Sequence, residues 1–287
     1  MRVLVTGAEG LLGSVLVKRL TGEHSVVGVG RRLLDVTDRR AVDEMVRMVQ
    51  PELIINCAAM ARVDACEANE EQARRVNADA AGYLADAAQA VGAEMMHIST
   101  DYVFDGRSSR PYTHEDATCP ISAYGRSKLL GELNVASACR KHYIVRVARL
   151  FALGGSNFGS RIFDLISKAA IENVPLEVFA YPVSQATYVP DLVDRLAEIA
   201  KWHDYGTYHI VGDGLAVGWD KFAEIAAGLM GLKLSVKVVE YEQKGLIARR
   251  PLYTALRCLK SEKLGLPPMR RWEEALQAMY AEWKKVC

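Results

Sequence analysis

Short apolar runs alternate with segments of helical spacing through the first half of the chain. The runs are residues 3–5, 25–29, 53–57, 94–98 and 143–147. Between them, residues 11–20, 41–49 and 71–91, and a segment opening near Ser122, repeat apolar or alanine-rich positions at helical spacing. Strands separated by helices of this length pair in parallel through right-handed crossovers. The expected fold is therefore α/β, a doubly wound parallel Rossmann-like sheet with a smaller α/β substrate lobe.

After residue 150 the rhythm loosens. A helix is expected over 158–173 and a strand over 176–179. Val189, Leu192, Val193, Leu196 and Ile199 mark an amphipathic helix, and residues 208–211 a strand, both returning to the sheet. A helix around Phe222 and a strand over 236–239 follow. Trp272, Leu276, Met279, Tyr280 and Trp283 form one apolar face of a terminal helix, a core stripe. The expected division is 1–151 with 186–212 for a cofactor-binding domain, and 152–185 with 213–287 for the smaller lobe.

Bulk properties narrow the class. The 287 residues are 50% hydrophobic and 25% charged, a soluble globular profile. A net charge of +1 gives no global field toward nucleic acid or a membrane surface. No apolar run approaches the ~20 residues of a membrane span. A strand begins at Arg2 with no leader before it, so the expected location is the cytoplasm. Cys57, Cys66, Cys119, Cys139, Cys258 and Cys287 lack the close spacing of a zinc or redox motif and are read as reduced thiols. The histidines, His97 inside a strand among them, have no ligand spacing, so no metal site is expected.

Two motifs carry chemistry. Thr6-Gly-Ala-Glu-Gly-Leu-Leu-Gly13 lies between a strand and a helix, the context of a dinucleotide fingerprint. Gly7 permits a tight turn, Gly10 a close approach to pyrophosphate, and Gly13 close helix packing. The helix N-terminus offers free amides to phosphate. At the end of the second strand, Val29-Gly30-Arg31-Arg32 carries no acid to read a ribose 2′-hydroxyl, and two guanidinium groups suited to a 2′-phosphate. NADPH is therefore favoured, with NADH as the alternative. Asp35 and Val36 are placed beside the adenine.

The second motif runs from Ser99 to Lys128. Ser-Thr-Asp-Tyr-Val-Phe-Asp-Gly (Ser99 to Gly106) follows the run that ends at Ile98, so Ser99 and Thr100 fall at a strand end. Tyr124-Gly-Arg-Ser-Lys128 opens a helix started by Pro120 and Ser122. Tyr124 and Lys128, four apart, share a helix face. A neighbouring ammonium lowers a phenol's pKa and fits it to exchange a proton with a substrate oxygen. Thr100 or Ser99 can orient that oxygen.

With these motifs, the chain resembles the extended short-chain dehydrogenase/reductases, and among them the dTDP-4-dehydrorhamnose reductase family. Supporting stretches are Thr6 to Gly13, Asp35-Val-Thr-Asp38, Asn56-Cys-Ala-Ala59, Val63-Asp64 with Glu67, Val76-Asn77, Ser99 to Gly106, Tyr124 to Lys128, Asn157-Phe158 and Arg249-Arg250-Pro251. The resemblance implies hydride delivery from NADPH to C4 of dTDP-4-keto-L-rhamnose. Tyr124 would protonate the new oxygen, Lys128 would bind the nicotinamide ribose and tune Tyr124, and Thr100 would hydrogen-bond the carbonyl. It also implies a cofactor set of Gly7, Glu9, Gly10, Leu11, Leu12, Gly13, Arg31, Arg32, Asp35, Val36, Cys57, Ala58, Ala59, Asn77 and Ser99, with Tyr124 and Lys128. Val63, Asp101, Tyr102, Arg149 and Asn157 would meet the nucleotide-sugar. A homodimer is plausible on the same ground.

Three departures from the family pattern fall on the sugar side. Arg149 stands where the family carries Trp. Tyr181-Pro-Val-Ser-Gln-Ala-Thr187 replaces an Asp-Gln-x-Gly-x-Pro-Thr stretch. Tyr253-Thr254 replaces Asn-Ser after Arg-Arg-Pro. A different keto-sugar is therefore an alternative substrate. Two other roles stay open: another nucleotide-sugar short-chain enzyme such as an epimerase, marked by copurifying oxidised cofactor, and a non-catalytic NADP-binding regulatory subunit like the β subunit of methionine adenosyltransferase, marked by a stable transferase complex.

Overall fold

Within each buried strand, alternate side chains face opposite layers, and this seats helices on both sides of one sheet. A computed structural model describes residues 1–286; Cys287 lies outside the described residues. In chain order the first half runs β1 (Arg2–Thr6), α1 (Leu11–Leu20), β2 (Ser25–Val29), α2 (Arg39–Val49), β3 (Leu53–Asn56), α3 (Val63–Ala68), α4 (Glu70–Arg74), α5 (Ala80–Val91), β4 (Glu94–Thr100), α6 (Ala123–Ala138) and β5 (His142–Val147). The second half runs β6 (Leu150–Phe151), α7 (Ile162–Glu172), β7 (Leu176–Val178), β8 (Thr187–Tyr188), α8 (Val189–Ala200), β9 (Gly206–His209), α9 (Trp219–Leu229), β10 (Val236–Val238), α10 (Leu259–Lys263) and α11 (Trp272–Trp283).

Six strands form one parallel sheet in the order β2-β1-β3-β4-β5-β9. Val3, Val5, Leu53, Ile55 and Met96 face a core shared with Leu12 and Leu16 of α1 and Leu192 and Leu196 of α8. Leu4, Ile54 and Met95 face the other core, with Val42 and Val46 of α2, Leu84 of α5 and Val135 of α6. Central parallel strands covered on both faces read as continuous apolar runs, which is why the sequence shows them plainly. The second half adds two small parallel pairs, β6 with β8 and β7 with β10. Trp272, Leu276 and Met279 of α11 are buried in the larger core.

Local differences from the sequence reading have local causes. The long helix expected over 71–91 starts at Glu70 and passes through a π turn, Arg75–Asp79, between α4 and α5. The helix expected from residue 158 starts at Ile162, because the Asn157 side chain takes the Ser160 amide (2.9 Å) and holds residues 157–161 in a turn. The strand expected over 208–211 is Gly206–His209, two residues earlier. Among the described residues, Cys57, Cys66, Cys119, Cys139 and Cys258 are free thiols, and no helix is long and apolar enough to cross a membrane.

Candidate active site

Although β2 lies between them in sequence, β1 and β3 are neighbours in the sheet. The chain reverses its direction of winding there, and ligands of open parallel sheets bind in the crevice beyond such a point. Gly7 turns the chain out of β1 with φ of 66°. A Cβ on Gly7 would lie 2.6 Å from the Ala58 nitrogen, and one on Gly13 would lie 2.2 Å from the Gly7 oxygen. No side chain caps the N-terminus of α1, so its first amides face the crevice unpaired.

From this turn opens a cavity of about 670 Å³. Gly7, Glu9, Gly10, Arg31, Asp35, Val36, Cys57, Ala58 and Ala59 line it, together with Gly30, Leu34, Met60, Gln72 and Val76, which were not in the expected cofactor set. Its length, the glycine cradle at one end and the bare helix N-terminus fit an extended, phosphate-bearing dinucleotide. Asp35 braces its rim by accepting from the Thr37 amide (3.0 Å) and hydroxyl (2.8 Å). The sequence reading found no acid at the end of β2, yet the structure puts one there. The Glu9 carboxylate lies against Gly30, within 2.6 Å of where a Cβ would stand.

Other residues of the expected cofactor set do not line this cavity. Leu12 is buried in the core and Leu11 packs against it. Gly13 lies beneath Gly7, and Arg32 is exposed to solvent. Asn77 is fully buried in the π turn, where its amide accepts from the Met60 nitrogen (2.8 Å) and donates to the Met60 oxygen (3.1 Å) and Ser127 (2.9 Å). It therefore ties the cavity wall to α6 from behind. Ser99 donates to Glu132 (2.5 Å), which also holds Arg146 (2.7 Å) in a buried ion pair beneath the site.

Thr100, Asp101, Tyr102, Tyr124 and Lys128 gather at the C-terminal end of β4. Ser122 caps α6 by accepting from the Gly125 amide (3.2 Å), fixing where the helix presents Tyr124 and Lys128. The Thr100 oxygen accepts from the Tyr102 amide (3.2 Å), and its hydroxyl donates to Asp101 (3.0 Å). Asp101 also accepts from Thr254 (2.5 Å). Burial raises the Asp101 carboxyl to about 6 against the opposing effect of those two hydroxyls. Thr100 also stands against the Tyr124 hydroxyl and acts to lower its phenol. In this arrangement it is not a free donor to a substrate carbonyl.

Lys128 is buried and donates to the Ile98 carbonyl (2.6 Å), with His97 Nε2 at 3.3 Å. Burial lowers its ammonium to about 8. Burial also raises the Tyr124 phenol above its ordinary value, with Asp101 adding to the rise. The expectation that Lys128 lowers Tyr124 is corrected on this point: desolvation dominates, and the lysine nitrogen is turned to β4. The Tyr102 ring meets Tyr124 edge-on, 5.8 Å between centroids.

The expected sugar side is a wall of stacked side chains. Arg149 has φ of 45°, covers the Trp219 ring at 4.3 Å and donates to the Pro182 oxygen. Its Nε and Nη1 are buried without partners, and burial lowers the guanidinium to about 10. Arg250 covers Tyr241 at 4.2 Å and pairs with Asp64, next to Val63 at the start of α3. Tyr241 stacks on Phe179 at 3.9 Å. Asn157 is exposed, and both ends of its amide are used within its own loop, on Leu150 and Ser160. Sequence reasoning passed over Asn56, His97, Glu132 and Arg146. For Asn56, His97 and Arg146, a polar residue inside an apolar strand run was the available signal, since such groups stay buried only when hydrogen-bonded.

Three comparisons bear on this geometry. A family model described as the RmlD substrate binding domain matches residues 1–285. The dTDP-4-dehydrorhamnose reductase of Mycolicibacterium smegmatis is 36% identical over 280 residues, covering 96% of this chain and 84% of that protein. The dTDP-4-keto-6-deoxy-D-glucose reductase of Streptomyces niveus is 36% identical over 278 residues, covering 96% and 95%. A crystal structure of a Bacillus anthracis dTDP-4-dehydrorhamnose reductase in complex with NADP is 34% identical with a TM-score of 0.92, covering 98% of this chain and 99% of that one.

Proposed function

The chain belongs to the RmlD substrate-binding-domain family, the dTDP-4-dehydrorhamnose reductases of the extended short-chain dehydrogenase/reductases, and on that premise we propose that it reduces the C4 keto group of dTDP-4-dehydro-L-rhamnose to give dTDP-L-rhamnose. The observation that carries the reading is the meeting of Thr100, Tyr124 and Lys128 at the end of β4, on the same C-terminal edge of the sheet as the glycine cradle. NADPH bound along the cavity supplies the hydride. Gly7, Gly10 and the first turn of α1 hold its phosphates, Arg31 takes the 2′-phosphate, and Asp35 and Val36 flank the adenine.

Tyr124 delivers a proton to the oxygen at C4. Its phenol is raised by burial and so is neutral and loaded with that proton at neutral pH. Thr100 stands against the Tyr124 hydroxyl and orients it, and Asp101 holds Thr100 in place. Lys128 supplies a donor to the nicotinamide ribose. Arg149, Tyr102 and Val63 meet the nucleotide-sugar. Residues 1–151 with 186–212 act as the cofactor-binding unit and 152–185 with 213–287 as the substrate lobe. A cytoplasmic homodimer completes the reading. The dimer rests on the resemblance alone, and sedimentation of the purified protein tests it.

The direct test is NADPH oxidation with dTDP-4-dehydro-L-rhamnose generated in situ, beside NADH. Turnover is expected, and Tyr124→Phe should lose about a thousandfold in kcat while binding NADPH normally. Full activity of that variant would sink the mechanism. A second reading, reduction of another dTDP-linked 4-keto-6-deoxy sugar, is favoured by the unpartnered Nε and Nη1 of Arg149 and by the Streptomyces niveus relative. Turnover with that sugar and none with the rhamnose precursor would establish it.

A further inference from the structure

A chain of buried hydrogen bonds runs beneath the proton-transfer site and ends at Lys128. The Thr6 hydroxyl donates to Asn56 Oδ1 (2.7 Å), and the Ala58 amide donates to the same oxygen (3.1 Å). Two donors fix that end of the amide as the oxygen. The NH₂ end therefore faces His97 Nδ1, at 3.1 Å. An amide NH₂ only donates, so Nδ1 must accept. His97 is fully buried, and both burial and the Lys128 charge hold it well below its ordinary pKa, so the ring is neutral with its single proton on Nε2. That N–H points at the Lys128 nitrogen, 3.3 Å away.

An ammonium has three donors and no acceptor. Against an Nε2–H it meets donor with donor, whereas the amine form can accept. Lys128 still has the Ile98 carbonyl to donate to in either form. The other titratable groups facing it supply no competing preference for the amine. Cys57, at the end of β3, is pushed up to about 12 and stays a thiol. Tyr124, one turn earlier on α6, stays a phenol. Glu132, one turn later, is occupied by Arg146 and Ser99, and its charge favours the ammonium. Gly131 leaves the room for this contact, since a Cβ there would lie 3.3 Å from His97 Nε2.

We propose that His97 is a positioning residue for Lys128: its Nε2–H, fixed by Asn56, lowers further, beyond the effect of burial, the pH above which Lys128 ceases to act as an ammonium on the cofactor ribose. This rests on the cofactor-binding reading above but not on the identity of the sugar.

The test uses two readouts on the whole chain. ¹⁵N NMR of the imidazole in the free protein should show one proton, on Nε2, across neutral pH; a proton on Nδ1 or a doubly protonated ring overturns the proposal. NADPH affinity measured against pH by fluorescence should fall along an alkaline limb, and His97→Phe should move that limb up by about one unit. A folded variant with the limb unmoved overturns it. Should His97→Phe fail to fold, His97→Leu removes the same N–H with a smaller apolar side chain, and its limb must move up too. Neither readout contains a keto-sugar, so failure here leaves the reduction standing, and absence of turnover leaves this proposal standing.

Discussion

The floor of the crevice beyond β1 and β3 is built on backbone at strand ends, whereas the wall around Arg149 is made of long side chains from separate segments. Gly7, Gly10, Gly30 and Ala58 contribute mainly main-chain surface, each within a few residues of β1, β2 or β3. Arg149, Trp219, Tyr241 and Arg250 come from four places across the last half of the chain. The three departures from the family pattern are neighbours in space. Arg149 donates to the Pro182 carbonyl, Val183 pairs with Tyr253, and the Thr254 amide donates to the Val183 carbonyl (2.9 Å). Thr254 in turn holds Asp101, which holds Thr100. A side chain at Gly7 or Gly13 would meet backbone that has no room to yield, while a side-chain wall can be exchanged as a block.

This contrast can be broken by experiment. Gly13→Ala should be the most damaging change, because the new Cβ meets the Gly7 oxygen at 2.2 Å and neither backbone can give way. A cost of about 3 kcal/mol is expected, read as NADPH binding weakened about a hundredfold or as an equivalent loss of stability. Near-normal binding in that variant would mean the cradle is softer than its packing implies. Arg149→Leu is expected to raise the KM for the sugar nucleotide about tenfold, the scale of one lost charge-assisted hydrogen bond. Its NADPH affinity should stay at the parent value; a matching loss there would erase the division between the two sides.

Thr254→Val probes the link between them. Asp101, raised to about 6, uses one carboxylate oxygen for Thr100 and the other for Thr254, and protonation takes one of them out of that arrangement, so kcat should fall as pH drops through about 6. Thr254 lowers that pKa, and deleting its hydroxyl should shift the acid limb upward by about half a unit. An unshifted pH–rate profile would detach the sugar-side segment from the proton-transfer group. The smallest effect belongs to Glu9→Gln. A carboxylate beside Gly30 favours a ribose 2′-hydroxyl and opposes a 2′-phosphate, so its removal should raise the NADPH-over-NADH preference about threefold in kcat/KM. A shift toward NADH would show that Glu9 points elsewhere when cofactor is bound.

Much of the scaffold was legible from residue order. The runs at 53–57 and 94–98 appear as β3 and β4 because strands covered on both faces must be apolar throughout. The phosphate turn was readable because Gly7 and Gly13 act within one short segment. Tyr124 and Lys128 fall on one helix for the same reason, a four-residue spacing. What was misjudged depended on partners far away in sequence. The carboxylate at the end of β2 belongs to Glu9, about twenty positions before Gly30. Lys128 answers to burial, and its nitrogen lies against His97 and the Ile98 carbonyl rather than Tyr124. Asn77 serves Met60 and Ser127 from behind the cavity wall.

By itself, then, the sequence determined the winding of the sheet, the glycine turn that opens the crevice and the helix that bears Tyr124 and Lys128. These follow from periods of two and 3.6 residues and from glycine placement, which are local properties of the chain. Only the tertiary structure decided which way buried polar groups donate, which charges survive burial and how three scattered departures join into one wall. Those outcomes depend on desolvation and on hydrogen-bond partners brought together across the sheet, and no local period encodes them.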